Sequence, residues 1–165
     1  MKTRKSTYDD IPRMLEIYEY ARAYMKKTGN PNQWIAYPEK ELLLSDIEKG
    51  ISNVVENDEG KVIGTYAFII GEDPTYLVIE DGKWLNDNIY GTIHRIAGDG
   101  SEKGLLHFVT GECFKEVSDI RIDTHGDNKV MQHLLDKEGY TYCGRIYVSD
   151  DVSDHSPRVA YQKSK

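Results

Sequence analysis

The sequence predicts a single α+β domain over residues 1–165, and three observations carry that prediction. Apolar runs of strand character alternate with stretches at helical spacing in the order β–α–α–β–β–β–α–β–α–β–β, giving about seven strands and about four helices. The 165 residues contain no repeat, low-complexity tract or linker, and that length suits one domain with a real core. Hydrophobic content of 39% and charged content of 30% are those of a globular chain.

Each element has a local reason. Residues 2–6 form the expected first strand. Asp9 or Asp10 caps a helix with Pro12 in its first turn, where Ile11, Met14, Leu15, Tyr18, Ala21 and Met25 recur at helical spacing. Gly29-Asn30-Pro31-Asn32 ends it. A second helix follows Pro38, with Leu42, Leu43 or Leu44, and Ile47 on one face, and stops near Gly50. Ser52–Glu56 and Lys61–Ile70 read as strands joined by a hairpin turn at Asp58-Glu59-Gly60. Residues 71–89 alternate turn signals with short apolar pieces, which predicts a broken strand around Tyr76–Ile79 and an irregular loop carrying Trp84. A strand at 92–97 then runs through a glycine-rich loop into a helix with Leu105, Val109 and Cys113 on its inner face. Ile120–Thr124 is a strand, Asp127 caps a helix bearing Met131, Leu134 and Leu135, and Gly139 ends that helix. Tyr140–Val148 and Val159–Gln162 supply the last two strands.

Charge and composition narrow the partners. A net charge of −7 argues against binding to nucleic acid or to an anionic membrane surface. The longest apolar runs, such as Tyr66–Ile70, are far too short to span a bilayer. The basic start Met1-Lys2-Thr3-Arg4-Lys5 leads into no apolar signal segment, so the expected location is the cytoplasm. Cys113 and Cys143 fit two buried, reduced thiols there rather than a disulfide.

The most informative stretch is Thr92-Ile-His-Arg-Ile-Ala, the loop Gly98-Asp-Gly-Ser-Glu-Lys-Gly104, and the helix opening at Leu105. A strand passing through such a loop into a helix aims several backbone N–H groups and the positive end of a helix dipole at one point. That point suits a phosphate or pyrophosphate. The loop matches neither the Lys-Ser/Thr phosphate loop nor the three-glycine dinucleotide fingerprint, and packing alone is another reason for glycine at a helix opening.

Two segments carry a family resemblance: Ile96-Ala-Gly-Asp-Gly-Ser-Glu-Lys-Gly-Leu-Leu106, and Asn128-Lys-Val-Met-Gln-His-Leu-Leu-Asp-Lys-Glu-Gly-Tyr140, in which an Asn opens a helix that ends in Gly-aromatic. With these in order, the chain resembles, over essentially its whole length, the GNAT superfamily, the general N-acetyltransferases that use acetyl-CoA. A bacterial branch is similar through Gly29–Trp34, His94–Ala97 and Asp123–His125. The resemblance implies a central mixed, mostly antiparallel sheet splayed between the strands at 91–97 and 119–124. It implies acetyl-CoA as co-substrate, held by Ile96, Ser101, Glu102, Lys103, Gly104, Leu105, Leu106, Asn128 and Met131. It implies acetyl transfer to a primary amine of a small molecule or peptide by direct attack in a ternary complex, with a homodimer as a candidate assembly.

This chain departs from the family at three places. Ser101 stands where Arg or Gln is usual, and Leu106, where Gly or Ala is usual, must tilt away from the pyrophosphate. Leu135 stands where many relatives have a tyrosine thought to protonate the departing CoA thiolate, so no general acid carries over by position. That absence keeps a non-catalytic acyl-CoA-binding module as the alternative.

The chemistry asks for few side chains. An amine must lose its proton before it attacks, and the thioester carbonyl needs a donor for its developing charge. His94 is the expected base or proton relay, since an imidazole titrates near neutrality; the other reading is a histidine bonded within the sheet. By period two, Tyr90, Thr92, His94 and Ile96 share one face, and the resemblance implies that this face meets the acetyl end of the cofactor. His125 is a second candidate, oriented by Asp123 or else part of the turn before the Asn128 helix. Asp123, His125 and Asp127 could also be read as metal ligands, but no third cluster matches them and no metal is expected. Asn128 either reaches cofactor amides or caps its helix. Lys103 and Lys129 add positive charge. In the fold that the resemblance implies, Gln33 and Trp34, with Tyr90, are the expected acceptor contacts, although residues 30–37 also read as a loop pinned by one buried tryptophan.

Overall fold

A computed structural model describes residues 1–148 and 156–165. In chain order its elements are β1 (Lys2–Lys5), α1 (Ile11–Lys27), α2 (Lys40–Glu48), β2 (Ser52–Glu56), β3 (Val62–Ile70), β4 (Gly91–Gly98), α3 (Leu105–Cys113), β5 (Asp119–His125), α4 (Lys129–Glu138), β6 (Thr141–Tyr147) and β7 (Pro157–Ser164). The seven strands form one sheet in the order β1-β2-β3-β4-β5-β7-β6. Every neighbouring pair is antiparallel except β4 and β5, which run parallel. This is the α+β class and mixed sheet that the sequence predicts.

Helices cover both faces. On one, Leu106, Val109 and Cys113 of α3 and Leu135 of α4 pack with Val55, Ile93, Ile120 and Ile122. On the other, Ile11, Met14, Ile17 and Tyr18 of α1 and Leu43 of α2 pack with Trp34, Tyr37, Val54 and Ala97. A third cluster joins Tyr76 and Tyr90 to Ile146 and Ala160 at the far end of the sheet. Both cysteines are buried and free. Among the described residues, no helix is long and apolar enough to cross a membrane.

The parallel pair positions the site. β4 and β5 are joined only at Gly91↔Ile120 and Thr92↔Arg121, after which they part, while β5 pairs with β7 along its whole length. The predicted splay is therefore present. β4 also carries a bulge. Thr65 pairs with Ala97 and Ala67 with His94, so Tyr66 faces two residues, and Arg95 takes the left-handed region at φ 55. A non-glycine residue there is strained, and its surroundings hold it. The Arg95 guanidinium donates to Asp46 Oδ2 (Nε, 3.0 Å) and to Tyr37 Oη (Nη1, 2.8 Å), while its carbonyl accepts from Tyr18 Oη at 2.7 Å. Burial pushes the Asp46 carboxyl up, and the guanidinium beside it works the other way.

The bulge corrects one expectation. Period two would set Ile93 and Ile96 on opposite faces, but both pack on the α3 side. His94 and Ile96 consequently lie on opposite faces rather than sharing one. Three local readings also change. The segment around Tyr76–Ile79 is no strand: Pro74–Tyr76 is a short 3-10 turn capped by Asp73, followed by one isolated bridge, Glu80↔Arg145. The cap of α4 is Asn128 rather than Asp127, through Oδ1 accepting from Met131 N at 3.0 Å. Asp10 precedes α1, but its carboxylate turns back to Arg4 and to the Thr7 N–H instead of capping.

Candidate active site

Two adjoining cavities follow the split. The first, of about 230 Å³, lies between the diverging ends of β4 and β5 and under α1, the 30–37 loop and α4. His94, Ile96, Gln33, Trp34, Asn128 and Met131 all line it. The second, of about 730 Å³, runs along the glycine-rich loop and the start of α3, with Glu102, Lys103, Gly104, Leu105 and Leu106 on its wall. Tyr20, Tyr24, Gly98, Val130 and Leu134 line both, so the two form one continuous groove.

The loop is built to offer amides. Asp99 accepts from the Ser101 N–H at 2.9 Å and from the Ser101 hydroxyl, and Arg13 grips its other oxygen. Burial works against this carboxylate, but the bonds from Ser101 and the charges of Arg13 and Lys61 hold it below the usual range. Ser101 is thereby turned toward Asp99 and lines neither cavity. Gly104 caps α3 at φ 85 with no side-chain cap, which leaves the first-turn amides of α3 open toward the second cavity. The Leu106 side chain is buried in the core with Val109.

The split exposes backbone as well. Beyond Thr92 the edge of β4 has no β5 partner, and Ile96 lies on that edge beside the first cavity, so its backbone is left to the groove. An amide there can donate to a carbonyl oxygen inside the groove.

His94 is the imidazole that lines the first cavity, and residues that the sequence reading missed hold it. Its Nε2 lies 2.7 Å from Asp73 Oδ2, and its ring sits against Tyr76 with centroids 6.2 Å apart. Asp73 Oδ1 in turn accepts from the Thr75 amide (2.9 Å) and hydroxyl (2.7 Å). Burial alone would raise the Asp73 carboxyl, but the bonds from His94 and Thr75 hold it down at about 2. An ionised Asp73 can only accept, so Nε2 carries the proton at that contact, and in the neutral ring this leaves Nδ1 as the acceptor. Asp73-Pro74-Thr75 reads as a helix-cap signal, which could have found it. Tyr20 and Tyr24, stacked 6.4 Å apart on α1, were hidden by their place on a polar-looking face.

Three expected site residues lie elsewhere. Tyr90 is buried, accepts from the Asp73 N–H at 2.8 Å, and has Arg121 over its ring at 3.8 Å. His125 is buried at the end of β5, where Nδ1 accepts from the Asp127 N–H (2.9 Å) and Nε2 meets Ser156 Oγ (2.7 Å). Neither lines a cavity, and Ser101 is the third. Among the described residues, no three His, Cys, Asp or Glu side chains come together in a group that could hold a metal.

Asn128 does two jobs within the protein. Its Oδ1 caps α4, and its Nδ2 donates to Gln33 Oε1 at 3.0 Å. Asn128→Ala is expected to lower stability by about 1–2 kcal/mol, the sum of a lost cap and a lost amide contact. Urea unfolding midpoints measure this, and an unchanged midpoint would mean that α4 is capped by other means.

No family model matches the sequence, and no curated protein matches it. Solved structures do. A GNAT-family acetyltransferase from Streptococcus agalactiae 2603 superposes with a TM-score of 0.88 and 35% identity, over 99% of this chain and 95% of that one. A GNAT-family acetyltransferase from Listeria monocytogenes 4b F2365 gives 0.70 at 17% identity, over 99% and 94%. A ribosomal-protein-alanine N-acetyltransferase from Brucella melitensis gives 0.61 at 16% identity, over the whole of both chains. The last two likenesses show the fold alone.

Proposed function

Since the chain belongs to the GNAT family of acetyltransferases, we propose that it moves an acetyl group from acetyl-CoA to a primary amine of a small molecule or peptide by direct attack in a ternary complex. The carrying observation is the continuous groove with open α3 amides at one end and the His94–Asp73 pair at the other. The fit to a CoA thioester rests on two features. The amides of the α3 first turn and the loop suit a pyrophosphate, and the split beside Ile96 suits an extended amide-bearing arm.

When bound, acetyl-CoA supplies an acyl group already activated as a thioester. The chain's part is to hold both partners and to manage one proton. Ile96 N–H stabilises the charge that develops on the carbonyl oxygen. Gln33 and Trp34 form the acceptor wall. His94 Nδ1 takes the proton of the attacking amine, and Asp73 stabilises the imidazolium that results. Leu135 is fully buried in the apolar core, so that position contributes no acid, and a thiolate is a good enough leaving group to depart without one. The free, buried thiols support a reducing, cytoplasmic setting.

Thiol release from acetyl-CoA across a panel of primary amines tests this reading. Saturable release that depends on one class of amine is expected. Binding of acetyl-CoA by calorimetry with no release for any amine would replace it with an acyl-CoA-binding module, the reading that Leu135 favours.

A further inference from the structure

The first cavity contains a donor whose direction is fixed by the cap of α4. The first turn of α4 needs an acceptor, and Asn128 Oδ1 supplies it to Met131 N at 3.0 Å. That bond fixes which end of the Asn128 amide is the NH₂, and Nδ2 donates to Gln33 Oε1 at 3.0 Å. Asn30 Nδ2 donates to the same oxygen at 2.8 Å, and Thr124 Oγ1 approaches it at 3.4 Å. Reversing the Gln33 amide would set an NH₂ against these donors, so Oε1 stays among them and Nε2 faces the other way.

Gln33 is only 6% exposed and lines the cavity shared with His94, yet its Nε2 has no partner among the described residues. Nε2 is not one of the buried side-chain atoms left without a partner, so this N–H pair opens onto the cavity, where an acceptor on a ligand can meet it. The charges around the cavity are already matched. Asp123 Oδ2 accepts from Tyr76 Oη at 2.6 Å and its Oδ1 lies 3.8 Å from Arg158; Arg95 is held by Asp46, and Asp73 by His94. A second cationic amine on the acceptor would find no described carboxylate to itself. A neutral carbonyl, with two lone pairs and no donor of its own, matches the Gln33 NH₂.

We propose that the acyl acceptor is an amine carrying a neutral amide carbonyl, and that Gln33 Nε2 reads that oxygen. This rests on the first cavity being the acceptor site of the acetyl transfer. It makes Gln33 the specificity-determining residue, its direction set by the cap of α4.

Calorimetric affinities for glycinamide and for its hydrocarbon isostere isobutylamine, measured with CoA present, test the proposal. Wild-type protein is expected to prefer glycinamide. Gln33→Glu keeps an oxygen for Asn30 and Asn128 but replaces the donor by an acceptor, and should shrink that preference by ~10-fold or more. Gln33→Met, which loses the donor without adding charge, should shrink it in the same direction if the Glu variant folds poorly. A wild-type protein with no preference, or a preference that survives both variants, overturns the inference. Thiol release read in parallel separates the two claims: a Gln33-dependent preference without transfer removes the transferase reading alone, and transfer without the preference removes this one alone.

Discussion

His94→Gln is expected to lower the rate of acetyl transfer at saturating acetyl-CoA by ~10²-fold, with acetyl-CoA affinity nearly intact. In the wild-type protein the rate should climb with pH for acceptors whose amine is protonated in solution. In the variant, that climb should follow only the acceptor's own titration. Asp73→Asn supplies the sharper arm. The ring nitrogen at Asp73 must present its proton to a carboxylate at 2.7 Å. An amide there can offer N–H instead, which draws the proton to Nδ1 and removes the acceptor from the groove. A loss of similar size in a folded Asp73→Asn protein identifies tautomer control, because a merely structural Asp73 would change stability and leave the pH profile in place. Profiles taken with two amines of different pKa decide the matter: a profile that shifts with the amine and survives in both variants leaves positioning alone to carry the rate.

The sign of the Asp73 contribution also has a thermodynamic test. Its folded value of about 2 lies below the ordinary 3.8, so the stability it adds is complete above 3.8 and is lost as the pH falls through about 2. Acid unfolding of Asp73→Asn should lack that component.

Legibility in the sequence tracked the range of the interaction. Elements set by local pattern, such as the apolar stripe of α1 or the glycine that ends α4, were readable because residues a few positions apart specify them. The splay between β4 and β5 came from the family likeness, since nothing within Thr92–Ala97 itself forbids pairing. The bulge at Arg95 was not readable: a buried Arg–Asp pair reaching from β4 to α2, 49 residues away, sustains it. Once the bulge flips the alternation, a face argued by period two must fail beyond it. Among site residues, His94 could be picked out as an imidazole beside the loop, but its partner Asp73 lies in a stretch read as a broken strand. Gln33 was expected at the acceptor wall only through the family likeness, which sets the loop between α1 and α2 there. Which end of its amide meets the cavity depends on the cap of another helix, 95 residues on in the chain, and no local pattern encodes that.

Gly104→Glu is expected to leave a folded protein that has lost ~10²-fold or more in affinity for acetyl-CoA. Gly104 sits at φ 85, and a Cβ built there would meet nothing within 4 Å. The substitution is therefore strained by about 1–2 kcal/mol but not blocked, and a carboxylate at a helix N-terminus interacts favourably with the helix dipole. That same attraction makes it a competitor: the dipole and open amides that would receive a pyrophosphate receive the protein's own carboxylate instead. Like charges about 4 Å apart near a protein surface repel by about 4 kcal/mol, which is ample for the expected loss. Gly104→Ala separates strain from charge. It should unfold at lower urea by a similar margin while losing only a few-fold in affinity, and the gap between the two variants should narrow with added salt as the repulsion is screened. Equal affinity in the Glu and Ala variants would mean that the phosphates lie away from the start of α3, and the groove along Gly98–Leu106 would lose its assignment as the cofactor site.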